Sequence, residues 1–303
     1  MRPPSGEQIE LIWEDHHAVV VSVGAGIRRY DVAGRPVFDG YDADKMCDGA
    51  RGQTLVPWPN RVKDGQWRWA GEDLQLALTE PAQHNAIHGL VRWLGWTVQS
   101  KTGNTATMTC TSYPQPGYPW PIDAQIDYRL DAEGLQVTTT VVNRGTSPAP
   151  LAAGAHPYLT AGTVHVDECE LHVPADTWLP TGEQQIPTGS EPVDGTPYDF
   201  RTPRRIGAQK VDYAYTDLHR DERGRCTVRL AAPDGAASTL WVGPTYDYIE
   251  IFTGDALPDP SRRRRGLGVE PMTAPPNAFV SGESLVVLEP EEQWTGEWGI
   301  TPA

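Results

Sequence analysis

Apolar and polar residues alternate with a period of two at Ala124–Leu130 and again at Leu135–Val142, and that period predicts β-strands with one buried face. Between them Asp131–Gly134 is a short polar stretch ending in glycine, so the pair reads as a hairpin. Gln66–Trp69, which follows the turn signal Asp64-Gly65, reads the same way. Further strands are predicted at Thr105–Thr111, Thr227–Leu230, Thr239–Val242, Tyr248–Thr253 and Ser284–Leu288. The longest stretch without Gly or Pro, Glu7–Val23, contains the β-branched run AVVVSV. With 30 Gly and 28 Pro punctuating 303 residues, long helices have few places to form. Many short strands separated by turns argue an all-β fold, and pattern alone leaves sandwich and barrel both open.

Charge narrows the partners. Lys and Arg total 25 against 40 Asp and Glu, a formal charge of −15 that repels nucleic-acid backbones and anionic lipid surfaces. We therefore expect no nucleic-acid and no membrane partner. The basic run Arg262–Arg265 reads as a solvated surface loop. Cys47, Cys110, Cys169 and Cys226 are far apart and form no CxxC pair, so reduced structural thiols are expected. The first residues lack the apolar stretch of a signal peptide, and no window approaches a membrane span; the expectation is a cytoplasmic protein.

Three proline-framed segments carry chemistry. In GVEPMTAPPNAF, Gly268–Phe279, prolines stiffen the backbone around Glu270; GAHPYL, Gly154–Leu159, and PWPNR, Pro57–Arg61, do the same for His156 and Arg61. A carboxylate, an imidazole and a guanidinium held in this way suit proton transfer on a polar neutral substrate.

With IHGLVRWLGW, Ile87–Trp96, these segments follow in the order of a known family. Together with GAGIRRYDV, RGQTLVPWPNRVKDGQW, IPTG and VDYAYT, the chain resembles the aldose 1-epimerase (galactose mutarotase) family over most of its length. The resemblance implies one domain over residues 1–303, folded as a large antiparallel β-sandwich, often called a supersandwich. It implies interconversion of the α and β anomers of a free aldose without metal or organic cofactor. The implied catalytic pair is Glu270 as base and His156 as acid, with His88, Arg61 and Asp212 binding the sugar. YAYT after Asp212 departs from the histidine-containing motif of the galactose enzymes, and Asp217 lies close by as a competitor. Asn60 and Gln53 are candidates for polar support, and Trp58 and Phe279 for an aromatic pocket wall.

Each assignment has a structural rival. His88 could be a satisfied core histidine under Trp93 and Trp96, His156 a turn residue, Glu270 the partner of a nearby arginine, and Arg61 the partner of a structural acid. Among functions, a metal-dependent hydrolase lacks HExxH spacing, and a glycosidase would need a carboxylate pair such as Asp212 and Glu270 at a defined separation. A hexose-6-phosphate 1-epimerase, using Arg92 or the Arg262–Arg265 run for the phosphate, and a non-catalytic sugar-binding protein remain the two alternatives.

Overall fold

The computed structural model describes residues 2–303, and antiparallel strands make up almost all of its regular structure. The hairpin read from alternation forms, with longer arms: Ile122–Asp131 pairs with Gly134–Asn143 around the two-residue loop Ala132-Glu133. Alternate residues of the first arm, from Ile122 through Leu130, are buried, as the period of two requires. At the loop, the Glu133 N–H donates to Asp131 Oδ1 (2.9 Å), and Gly134 takes φ +104°.

That hairpin lies within a nine-stranded sheet ordered Thr97–Lys101, Thr105–Ser112, Ile122–Asp131, Gly134–Asn143, Gln293–Pro302, Ala237–Val242, Cys226–Ala231, Glu170–His172 and Arg204–Arg205. A second large sheet runs Glu191–Pro192, Ala175–Trp178, Asp212–Leu218, Tyr248–Phe252, Leu267–Met272, Gly154–Ala155 and Thr54–Leu55, with Tyr158–Leu159 also paired to Leu267–Met272. Apolar side chains from both sheets, among them Ile126, Val137, Val228 and Trp298 from the first and Tyr215, Ile249, Ile251 and Val269 from the second, join one buried cluster. The architecture is a large antiparallel β-sandwich, the stable way to hide one face of each sheet.

Glu7–Val23 is two strands, Gln8–Trp13 and His16–Val21, which join Gly26–Val32 and Arg35–Pro36 in a four-stranded sheet. The turn between the first two carries no glycine: Glu14 takes the left-handed conformation itself, at φ 51°. Ser284–Leu288 shortens to Val286–Leu288. Leu267–Met272 is a strand that alternation could not reveal, because all six of its residues are buried. Its Pro271 would argue against a central strand, yet it pairs with Ile249. The four cysteines are free thiols.

Candidate active site

Glu270 sits on Leu267–Met272, in the middle of the second sheet, and His156 follows directly on the neighbouring strand Gly154–Ala155. Gly154 is what allows the approach: it pairs with both Leu55 and Met272, and a Cβ there would lie 2.7 Å from the Pro271 carbonyl oxygen. His156 is fixed by its backbone, whose N–H donates to Gln53 O (3.1 Å) and whose carbonyl accepts from the Gly52 N–H (2.8 Å). Tyr158 stacks on the imidazole with ring centroids 4.9 Å apart. As a result His156 Nε2 stands 3.2 Å from Glu270 Oε1, with the two side chains 6% and 3% exposed. The outer atoms of the pair, His156 Nδ1 and Glu270 Oε2, have no protein partner among the described residues.

A second ladder delivers the other polar groups. Arg61–Lys63 pairs with Asn85–Ile87, with Arg61 opposite Ile87, so Arg61 and His88 arrive together. His88 is left-handed (φ 64°), and its N–H donates to Asn60 O (2.9 Å). Its ring meets that of His156 edge-on at 5.1 Å, and its Nδ1 lacks a partner among the described residues. Arg61 does pair with an acid: Nε and Nη2 reach the two carboxylate oxygens of Glu80 at 2.8 and 2.9 Å. Asn85 steadies Glu80 from the side, donating to Oε2 at 3.0 Å.

Asp212 opens the strand Asp212–Leu218 and accepts from Gln185 Nε2 at 2.8 Å. Asp217 turns elsewhere, accepting from Thr177 Oγ1. Arg61, His88, His156, Asp212 and Glu270 all line one cavity of about 520 Å³, which Asp217 does not touch. Asn60 lines it as well, while Gln53 works behind it, donating to the Arg92 carbonyl at 2.6 Å.

Two expectations are corrected. Trp58 and Phe279 do not form the pocket wall; they pack 5.5 Å apart in the buried aromatic cluster around Trp67 and Tyr118. Tyr158 and Phe252 are the aromatic residues of the cavity. The Arg262–Arg265 run is not a free solvated loop: Arg262 and Arg265 pair with Asp39, and Arg264 pairs with Asp167 and Asp255. Glu80 and Glu250 escaped the sequence reading, since each meets the site only through strand pairing or a side-chain fork. Glu250 lies opposite Glu270 in the ladder, 3% exposed, and accepts from Asn60 Nδ2 at 3.3 Å.

Burial sets the electrostatics. It pushes His156 down to about 3, helped by the positive charges of Arg51, Arg92 and Arg61, and pushes His88 down as well. The same burial raises Glu270, Glu250 and Asp212 above the usual carboxylate range, with the charge of Asp212 adding to the rise at the two glutamates and Arg61 opposing it at all three. Burial thus disfavours the charged form of both partners, lowering the proton affinity of the His156 imidazole and raising that of the Glu270 carboxylate. No group of three or more His, Cys, Asp or Glu among the described residues is arranged to hold a metal ion. No helix among them is long and apolar enough to cross a membrane.

The sequence model of the family described as Aldose 1-epimerase matches residues 7–301. The uncharacterized protein YihR of Escherichia coli K12 is 33% identical over 286 residues, covering 94% of this chain and 90% of its own. Human galactose mutarotase is 29% identical over 221 residues, 68% of this chain and 63% of its own. Among solved structures, a GalM/aldose epimerase homologue from C. elegans superposes with a TM-score of 0.85 at 17% identity, covering 98% of both chains. A galactose 1-epimerase from Lactobacillus acidophilus gives 0.81 at 20% identity, covering 98% of this chain and 94% of its own. At these identities the two superpositions establish the shared fold.

Proposed function

This chain belongs to the aldose 1-epimerase family, and from that premise we propose that it interconverts the α and β anomers of an aldose, with Glu270 and His156 as the proton-transfer pair. The observation that carries the reading is the 3.2 Å approach of His156 Nε2 to Glu270 Oε1, both side chains buried, at the wall of an open, sugar-sized cavity. Ring opening takes the proton from the anomeric hydroxyl while O5 gains one, so a base and an acid have to reach both oxygens together. Glu270 removes the O1 proton; the C1–O5 bond breaks with its electrons on O5, which takes a proton from His156. After rotation about C1–C2 the same groups run in reverse, and the ring closes on the other face.

The charged form this step needs, carboxylate with imidazolium, holds the same number of protons as the neutral form that burial favours. Sugar hydroxyls entering the cavity replace the hydration that burial removed, which favours the charged form during the reaction. In this reading His88, whose ring is edge-on to that of His156, hydrogen-bonds near O5. The Glu80 fork uses the Nε and Nη2 donors of Arg61 and fixes the plane of the guanidinium beside the ring hydroxyls. Asp212 accepts from those hydroxyls alongside Gln185.

The test is polarimetry on freshly dissolved α-D-glucose and α-D-galactose with no added metal or nucleotide. The protein should hasten the approach to the same final rotation. If every aldose tested equilibrates at the buffer rate, the reading gives way to a non-catalytic sugar-binding protein.

A further inference from the structure

Arg51 is wholly buried and stands outside the cavity wall, yet it reaches the proton-transfer pair through Tyr158. Its guanidinium carbon lies 3.9 Å from the centroid of the Tyr158 ring, and that ring is parallel to the His156 imidazole within 5°. Nε donates to Asp48 Oδ1 at 3.0 Å, and Nη1 donates to Asp39 Oδ2 at 2.7 Å and to the Asp39 carbonyl at 3.1 Å. These bonds fix the guanidinium against the ring. The backbone around Arg51 grips the same two residues. The Tyr158 hydroxyl donates to Gly49 O (3.0 Å), the Gly52 N–H donates to His156 O, and Gln53 O accepts from the His156 N–H. Gly49 is needed for that approach, since a Cβ there would lie 2.8 Å from the Tyr158 hydroxyl oxygen. The turn 48–53 thus holds the main chain of His156 directly and its ring by way of Tyr158.

The charges around Arg51 do not cancel. Asp39 is shared with Arg262 at 3.2 Å and Arg265 at 3.7 Å, so three arginines meet two aspartates, Asp39 and Asp48. The other groups around His156 are Glu270 at 3.2 Å, the His88 ring at 5.1 Å, and Arg61, Arg92 and Asp212 of the same cavity. After burial, the charge of Arg51 lowers the proton affinity of His156 more than those of Arg92 and Arg61 do. Burying a guanidinium costs more than ion pairing commonly returns, so stability alone is a poor account of this residue. We infer that Arg51 is a positioning residue for the general acid: through Tyr158 it fixes the imidazole plane, and its charge makes the imidazolium release its proton to the ring oxygen more readily. The inference rests on the proposed mutarotase reading. A cation that loosens the proton also makes the imidazolium harder to form, and Glu270, when ionised, offsets that from 3.2 Å.

Imidazole NMR signals followed against pH read His156 directly, with His156→Asn identifying its resonances. In Arg51→Met, which removes charge and fork together, His156 should take up its proton about 1 to 2 pH units higher than in the parent. The acid limb of kcat/KM should rise by the same amount. Its kcat should fall about tenfold to a hundredfold, part of a general acid's usual share, with KM unchanged within about threefold. Arg51→Lys keeps the charge and gives up the fork, so the titration should stay at the parent's pH while kcat falls about threefold to tenfold. Parental kcat in folded Arg51→Lys would overturn the orienting role, and this variant decides the matter should Arg51→Met not fold. A merely structural Arg51 would lower Tm and leave the titration and kcat of folded Arg51→Met where they were. That result would overturn the inference and leave the mutarotase reading standing. A moved titration in a protein that accelerates no aldose would support the coupling of Arg51 to His156 and overturn the mutarotase reading.

Discussion

Glu270 answers two opposed demands, since the burial that sharpens its basicity also makes it costly to ionise. The linkage sign follows from the direction in which it moves. A carboxyl raised in the folded state binds a proton more tightly there than in the unfolded chain, so stability is lost as pH rises from about 4.5 through the folded value. Glu270→Gln does not titrate and should melt higher than the parent at pH 8, with the difference shrinking at pH 4; every tenfold by which folding tightens the carboxyl's hold on its proton is worth about 1.4 kcal/mol. The same variant should lose about 10²- to 10⁴-fold in kcat, and near-normal turnover would end its role as base. His156 moves the other way: its folded value, about 3, lies below that of free imidazole, so its contribution to stability grows as pH rises from about 3 toward 6.5. Because the active pair holds one proton, kcat/KM should stay level well below pH 6 and fall on the alkaline side as Glu270 gives that proton up. A limb at the ordinary histidine value would contradict this assignment.

Among the elements, two glycines separate strain from chemistry. Gly134 closes the long hairpin with positive φ, and a Cβ there would stand 2.2 Å from the Ile300 carbonyl oxygen. Gly89, also at positive φ, follows His88, and its Cβ would stand 2.2 Å from the Val56 carbonyl oxygen. Alanine at either position should cost about 1–3 kcal/mol, read as a lower Tm. Only Gly89→Ala should also lower kcat/KM, by up to about 10²-fold, since it displaces the His88 turn, whereas Gly134→Ala should turn over normally. Equal loss of activity in both would mean that the pocket senses global stability alone. The hairpin was legible because one of its faces is wet, which writes the period of two into the chain. The Glu270 strand was not, because six buried residues in a row leave no alternation to read.

For the whole molecule, the residues legible in the sequence were those set in short rigid frames: Arg61, His88, His156 and Glu270 each have prolines or glycines beside them that mark a constrained backbone. Glu80 and Glu250 were not legible, because what brings them to the site is pairing between segments distant in sequence. Trp58 misled for the converse reason: it neighbours a pocket motif, but its ring points into the core. The cavity is thus walled by pieces of chain from Gly49 to Glu270, joined by sheet pairings that close long loops. Such contacts form slowly, because the entropy of closing each loop is lost before the contact rewards it. On dilution from denaturant, the far-UV signal of the local hairpins should therefore return first and mutarotase activity last, with a lag between them. Simultaneous recovery would mean that the pocket assembles together with the nucleus. A lag would make activity the better clock for completed folding, and it would expose a half-built, sheet-edged intermediate to aggregation during the interval.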